Sequence, residues 1–183
     1  DMNSLSVQAA SPDFAFDMDL LATGPLVFHG EKGFSQKSAE GQASYYYSQP
    51  FYKISGTLNL PEGDIPVTGS AWLDREWSSQ PLSDDQKGWD WFSLSFEDGE
   101  KMMGFQLRQS DGSYYTSATW IDVNGETQSY PDGAFMAEPL EETRVAGRDI
   151  PIRWRVRLSD RGLDAEVQAV MPKAWMDVSI PYW

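Results

Sequence analysis

Short runs of alternating apolar and polar residues recur along this chain, and most of them end in a turn-forming pair. Phe14-Ala15-Phe16-Asp17-Met18-Asp19-Leu20 alternates apolar with small or polar residues, and 51–60 does the same. The period continues through 89–96, 101–108, 115–123, 152–158 and 163–170. A period of two is that of a strand with one face buried. Between the runs stand Glu62-Gly63, Asp98-Gly99, Asp111-Gly112, Asn124-Gly125 and Asp132-Gly133, which tolerate the positive φ that tight hairpins require. The clearest hairpin joins 115–123 to 126–130 through Asn124-Gly125. No stretch shows a sustained helical period, and 82–88 reads as a loop or a single turn. Strands spaced by roughly 8–12 residues with no helices between them predict an all-β, antiparallel sandwich or barrel. The polar stretch 81–88 lies between two aromatic clusters and is the expected boundary, giving units 1–84 and 85–183.

Composition sharpens this picture. Eight Trp, eight Tyr and nine Phe in 183 residues suit strands and apolar cavities better than a helical bundle. The net charge of −14 repels phosphate backbones and anionic headgroups, so nucleic acid is not an expected partner. The sequence contains no cysteine, which excludes disulfides, thiolate metal sites and a cysteine nucleophile. His29 is the single histidine, so a multi-histidine metal centre within this chain is excluded as well. No cofactor is expected. No apolar run approaches the ~20 residues of a membrane span, and a membrane-spanning chain is not expected either.

The stretch Gly69-Ser70-Ala71-Trp72-Leu73-Asp74-Arg75-Glu76-Trp77-Ser78-Ser79, followed by Gly88-Trp89-Asp90-Trp91-Phe92, is the densest in potential chemistry. On a strand, Trp72, Asp74 and Glu76 share one face, while Leu73, Arg75 and Trp77 share the other. Two carboxylates roughly 7 Å apart on one face can serve as acid and base, which makes Asp74, Glu76 and the nearby Asp90 candidate catalytic residues. The same groups also suit an ion-pair network in which Arg75 or Arg108 balances Asp74, Glu76 and Asp90. Trp89 and Trp91 share a face and, with Trp72 and Trp77, could line a ligand cavity or fill a core. In Ser44-Tyr45-Tyr46-Tyr47-Ser48, Tyr45 and Tyr47 share a face opposite Tyr46. Pointing inward, these two phenols would orient a ligand; pointing outward, they are ordinary strand residues. His29 stands at a strand end before a turn, where a histidine is structural, solvated or a ligand contact. Ser78-Ser79 lacks a strand-to-helix setting and no Gly-x-Ser-x-Gly occurs, which disfavours a serine hydrolase.

Taken in order, His29-Gly30 with Gly33-Phe34-Ser35, Tyr45-Tyr46-Tyr47-Ser48, Ser55-Gly56-Thr57-Leu58, Val67-Thr68-Gly69 and the two Trp-rich motifs resemble the AttH-like proteins. The resemblance continues through Asp111-Gly112, Ile150-Pro151-Ile152-Arg153-Trp154 and Pro181-Tyr182-Trp183. Those proteins are often described as predicted secreted hydrolases and are related to the carotenoid 1,2-hydratases (CrtC). The resemblance implies two consecutive lipocalin-like (calycin) β-barrels. The later strands of the first would lie in 1–84, and the second, lacking its last strand, in 85–183. An N-terminal remainder or another copy would then complete the first barrel. It also implies a cell-envelope, periplasmic or secreted location. The hydratases' His-Glu-Trp element here reads Arg75-Glu76-Trp77, and their downstream Tyr-x-Asp aligns with Phe105-Gln106-Leu107. Arginine stays protonated at pH 7 and cannot give a proton to an alkene.

The function expected from these readings is a pocket for an apolar or amphipathic small molecule or lipid, lined by Tyr45, Tyr47, Trp72, Arg75, Trp77, Trp89, Trp91, Arg108 and His29. The alternatives are a cofactor-independent hydratase, lyase or hydrolase using Asp74, Glu76 or Asp90, and a structural module with no ligand.

Overall fold

Thirteen strands and one 3-10 turn form among residues 2–79 and 82–183, which the computed structural model describes. The first sheet contains β1 (Ser4–Ala10), β2 (Ala15–Ala22), β3 (Val27–Phe28), β4 (Phe34–Gln36), β5 (Ala43–Leu60) and β6 (Gly63–Trp77). Its spine is β5, which pairs with β6 along one edge. On the other edge it pairs with β3 and β4 in its first half and with β2 in its second. The register with β6 shifts between Gln49 and Tyr52. Pro50 lies in that interval and has no N–H to give to a ladder, so the irregularity falls where it costs least.

The second sheet contains β7 (Gln86–Ser95), β8 (Lys101–Gln109), β9 (Tyr114–Ile121) and β10 (Thr127–Tyr130), in the order β10-β9-β8-β7. The third contains β11 (Phe135–Val145), β12 (Arg148–Leu158) and β13 (Leu163–Gln168). All the pairings are antiparallel, and the Asn124-Gly125 hairpin forms as the sequence predicts. Gly125 has φ of 85°, and the Asp122 carboxylate accepts the backbone N–H of Asn124 and of Glu126.

The second sheet is the middle layer. On one side Phe92, Met102, Ala118 and Trp120 pack with Phe135, Ala137, Trp154, Val156 and Leu158 of the third sheet. On the other side Met103, Phe105, Leu107 and Tyr115 pack with Tyr46 and Trp72 of the first. Strand β8 is therefore buried on both faces from Met102 to Leu107, as its apolar run allows. Each such fully buried Met, Leu or Phe contributes about 1.5–3 kcal/mol relative to exposure.

Several expectations are corrected here. The all-β, antiparallel class is as expected; none of the three sheets closes on itself among the described residues, and they pack as layers. The loop predicted over 82–88 ends at Asp85, because Gln86–Gly88 already pair with β8. Gln80 and Pro81, at the expected unit boundary, lie outside the described residues. Strand β11 escapes the alternation rule: its exposed Glu138 and Glu141 face Arg157 and Arg153 of β12, and Pro139 sits at a register shift. Among the described residues no helix is long and apolar enough to cross a membrane.

Candidate functional site

The β5–β6 register decides which side chains face the second sheet. Ser48 lies opposite Asp74, Tyr46 opposite Glu76, Tyr47 opposite Arg75 and Tyr45 opposite Trp77. Ser44, Tyr46 and Ser48 are buried, while Tyr45, Arg75 and Trp77 are exposed. The inner face therefore carries Ser44, Tyr46, Ser48, Trp72, Asp74 and Glu76. Tyr45 and Tyr47 stand on the outer face beside Trp77, with Tyr45 stacked on it at 5.9 Å between ring centroids.

Asp74 is the centre of the inner cluster. Its Oδ1 accepts hydrogen bonds from Trp72 Nε1 at 2.8 Å, Tyr46 Oη at 3.0 Å and Ser48 Oγ at 2.5 Å. Tyr46 Oη in turn accepts from Trp91 Nε1 at 3.0 Å, which ties β7 of the second sheet to the first. Behind Ser48 lies His29, fully buried, with Nε2 2.6 Å from Ser48 Oγ and its ring 4.2 Å from that of Tyr46. Burial holds the His29 imidazole down to about 3, so it is neutral at physiological pH. The Tyr46 phenol is raised above its usual range, first by burial and then by the Asp74 carboxylate.

The loop after β3 sets the position of His29. Gly30 has φ of +63°, and a Cβ there would meet the Phe34 carbonyl oxygen at 2.2 Å. Only glycine fits that turn. The His29 backbone N–H donates to the Tyr46 carbonyl at 3.1 Å, and the Gly33 N–H to the His29 carbonyl at 3.0 Å.

Other candidates lie near the mouth of this seam or away from it. Trp91 is 40% exposed, and Trp89 meets the ring of Tyr182 edge-on at 5.7 Å. Glu76 is exposed and close enough to act electrostatically on both Tyr46 and Tyr182. Asp90 is not part of this cluster. It points to the opposite face of the second sheet, where it pairs with Arg108 and accepts from Gln106 Nε2 at 3.0 Å. The three candidate carboxylates thus do not converge on one site.

The expected ion pair around Asp74 is also corrected. Arg75 is exposed and forms no ion pair among the described residues, and neutral donors satisfy Asp74 instead. Tyr46 and Ser48 are not among the site residues expected from the sequence. Their signal was present in Ser44-Tyr45-Tyr46-Tyr47-Ser48, where Tyr46 shares its face with two serines, but only pairing with β6 shows that this face is inside. Phe105 and Leu107, which the resemblance sets against the hydratases' Tyr and Asp, are packed into the core.

No group of three or more His, Cys, Asp or Glu among the described residues could hold a metal ion. A groove lined by Leu26, Phe28, Gly30, Lys32, Gly125, Glu126 and Thr127 is open to the surface and includes none of the side chains bonded to Asp74.

The architecture and the sequence both have relatives. No curated protein matches the chain. The crystal structure of an AttH candidate from Nitrosomonas europaea has a TM-score of 0.87 and 35% identity over 95% of this chain and 55% of that one. Kievitone hydratase from Nectria haematococca has a TM-score of 0.79 at 20% identity, over 97% of this chain and 55% of its own, a likeness of fold alone. The chain thus spans 55% of the length of each of these relatives. The pattern of the AttH-like family matches residues 1–183 throughout, and with the all-β antiparallel fold now in view, the chain belongs to the AttH-like family.

Proposed function

We propose that the seam between the first and second sheets binds an apolar or amphipathic small molecule. Its apolar part would rest on Trp91, Trp89 and Tyr182, and its polar end would meet Asp74 and Glu76. The observation that carries this reading is the state of Asp74. Three neutral donors fix its Oδ1, while Oδ2 has no hydrogen bond from any described residue, and the 40% exposed Trp91 is joined to Asp74 through the Tyr46 hydroxyl. A few fixed polar groups beside aromatic area are what a small-molecule site needs. In this reading the chain contributes lipocalin-like units, 1–84 and 85–183, to a larger two-barrel protein in the cell envelope or outside the cell, and the site lies between them.

N-phenyl-1-naphthylamine, a neutral fluorescent probe, should bind in the micromolar range, about −8 kcal/mol. Trp91→Ala should weaken it at least fivefold. A probe that does not bind, or binds equally well without the Trp91 ring, would refute the site.

A second reading, a cofactor-free proton-transfer enzyme, is favoured by one observation, the Trp91–Tyr46–Asp74 hydrogen-bond chain. Kievitone hydratase shares the fold, which supports hydration as the reaction to test. Asp74 is arranged to accept a proton or orient a donor, and Phe105 and Leu107 supply no acid. Acyclic carotenoids are therefore expected to remain unhydrated. Hydrated product that disappears with Asp74→Asn would promote the enzyme.

A further inference from the structure

The polarity of the buried hydrogen-bond chain can be worked out from groups that have no choice. An indole N–H can only donate. Trp91 must therefore donate to Tyr46, and Trp72 must donate to Asp74 Oδ1. Ser48 has one hydroxyl proton, and it is directed at the same Oδ1. The contact between Ser48 Oγ and His29 Nε2 then needs its proton from the imidazole. The remaining ring nitrogen, Nδ1, is buried with no hydrogen-bond partner among the described residues. A bare lone pair is tolerated there better than an orphaned N–H or an imidazolium charge.

We propose that His29 is a positioning residue that acts on the ligand through Ser48: locked as the Nε2–H tautomer, it directs the Ser48 hydroxyl onto Asp74 Oδ1 and leaves Oδ2 as the acceptor offered to a ligand's hydrogen-bond donor. This rests on the binding reading above and names its ligand class. The preferred molecule is apolar, uncharged and carries a hydroxyl. A carboxylate or phosphate would be repelled, because Asp74 and Glu76 stand at the same mouth and no cation pairs with either among the described residues.

Because His29 is the single histidine, its nitrogen-15 resonances are unambiguous. In the intact protein at pH 7 they should show a protonated Nε2 with a slowly exchanging proton and an unprotonated Nδ1. The paired ligand test uses 2-naphthol and 2-methoxynaphthalene, in which a methyl group replaces the hydroxyl proton and so removes the donor. The naphthol should bind about tenfold more tightly. Asp74→Asn should keep the His29 tautomer, since an amide oxygen can take the Oδ1 position, yet bring the two probes within twofold of each other. Ser48→Ala should speed exchange of the Nε2 proton and reduce the naphthol preference at least threefold.

An Nδ1–H tautomer would overturn the proposal. So would a Ser48→Ala protein in which the proton exchange and the probe preference are both unchanged, or a wild type that binds the two probes equally. Neither probe binding would sink the binding site itself, and the imidazole resonances would then decide the relay by themselves.

Discussion

His29 connects a short strand to a tight glycine turn and is sealed behind Tyr46, and this has a consequence for acid stability. The unfolded chain takes up a proton near 6.5, whereas burial holds the folded imidazole to about 3. The unfolded state therefore binds the proton first as pH falls. The stability from the neutral, buried ring is complete above about 6.5 and is lost as pH falls toward 3. Between pH 7 and pH 5 the loss is about 2 kcal/mol. Urea unfolding at the two pH values should show a smaller loss for His29→Gln than for the wild type; equal losses would mean that His29 titrates freely. The two arginines separate in the same way. Exposed Arg75 has no ion pair among the described residues to lose, so Arg75→Leu should change stability by less than about 0.5 kcal/mol. Arg108 pairs with Asp90, whose side chain is only 13% exposed. Removing it leaves that carboxylate with Gln106 alone, at a cost of about 1–2 kcal/mol after allowing for the exposure of the arginine. Thermal melts of the two variants should differ accordingly, and equal melts would contradict the placement of the ion pair.

At the level of the elements, β8 is the strand on which the layers depend. Gly104 lies at its centre, and a Cβ there would come within 2.8 Å of the Phe135 ring, which is fully buried and has nowhere to go. Gly104→Ala should therefore destabilise by about 1–3 kcal/mol, measured by chemical denaturation; a neutral result would show that the second and third sheets slide apart easily. Strands β2, β5, β7, β8, β9, β12 and β13 overlap the alternating runs of the sequence, because each has a buried face that the period exposes. Strand β11 was not legible. Its outward glutamates and its proline break the alternation, and what holds it is the ladder with β12 and the burial of Phe135 and Ala137 against the second sheet, partners that no local pattern reveals.

For the molecule as a whole, a net charge of −14 means that the folded chain repels itself. Moderate sodium chloride should raise the melting temperature by screening that repulsion. A falling midpoint would mean that cross-strand pairs such as Arg155–Asp164, whose Nε and Oδ1 are 2.7 Å apart, outweigh it. The sequence by itself determined the strand class, the Asn-Gly hairpin, the absence of thiol and multi-histidine chemistry, and the family, because backbone periodicity, turn stereochemistry and motif order are local properties. Only the tertiary structure decided which face of β5 is inside, that Tyr46 and Ser48 rather than Tyr45 and Tyr47 meet Asp74, and that Asp90 points to another layer. A strand shows alternation but not which of its two faces will be covered, and that choice is made by the register of β6 and by the sheet that packs upon it.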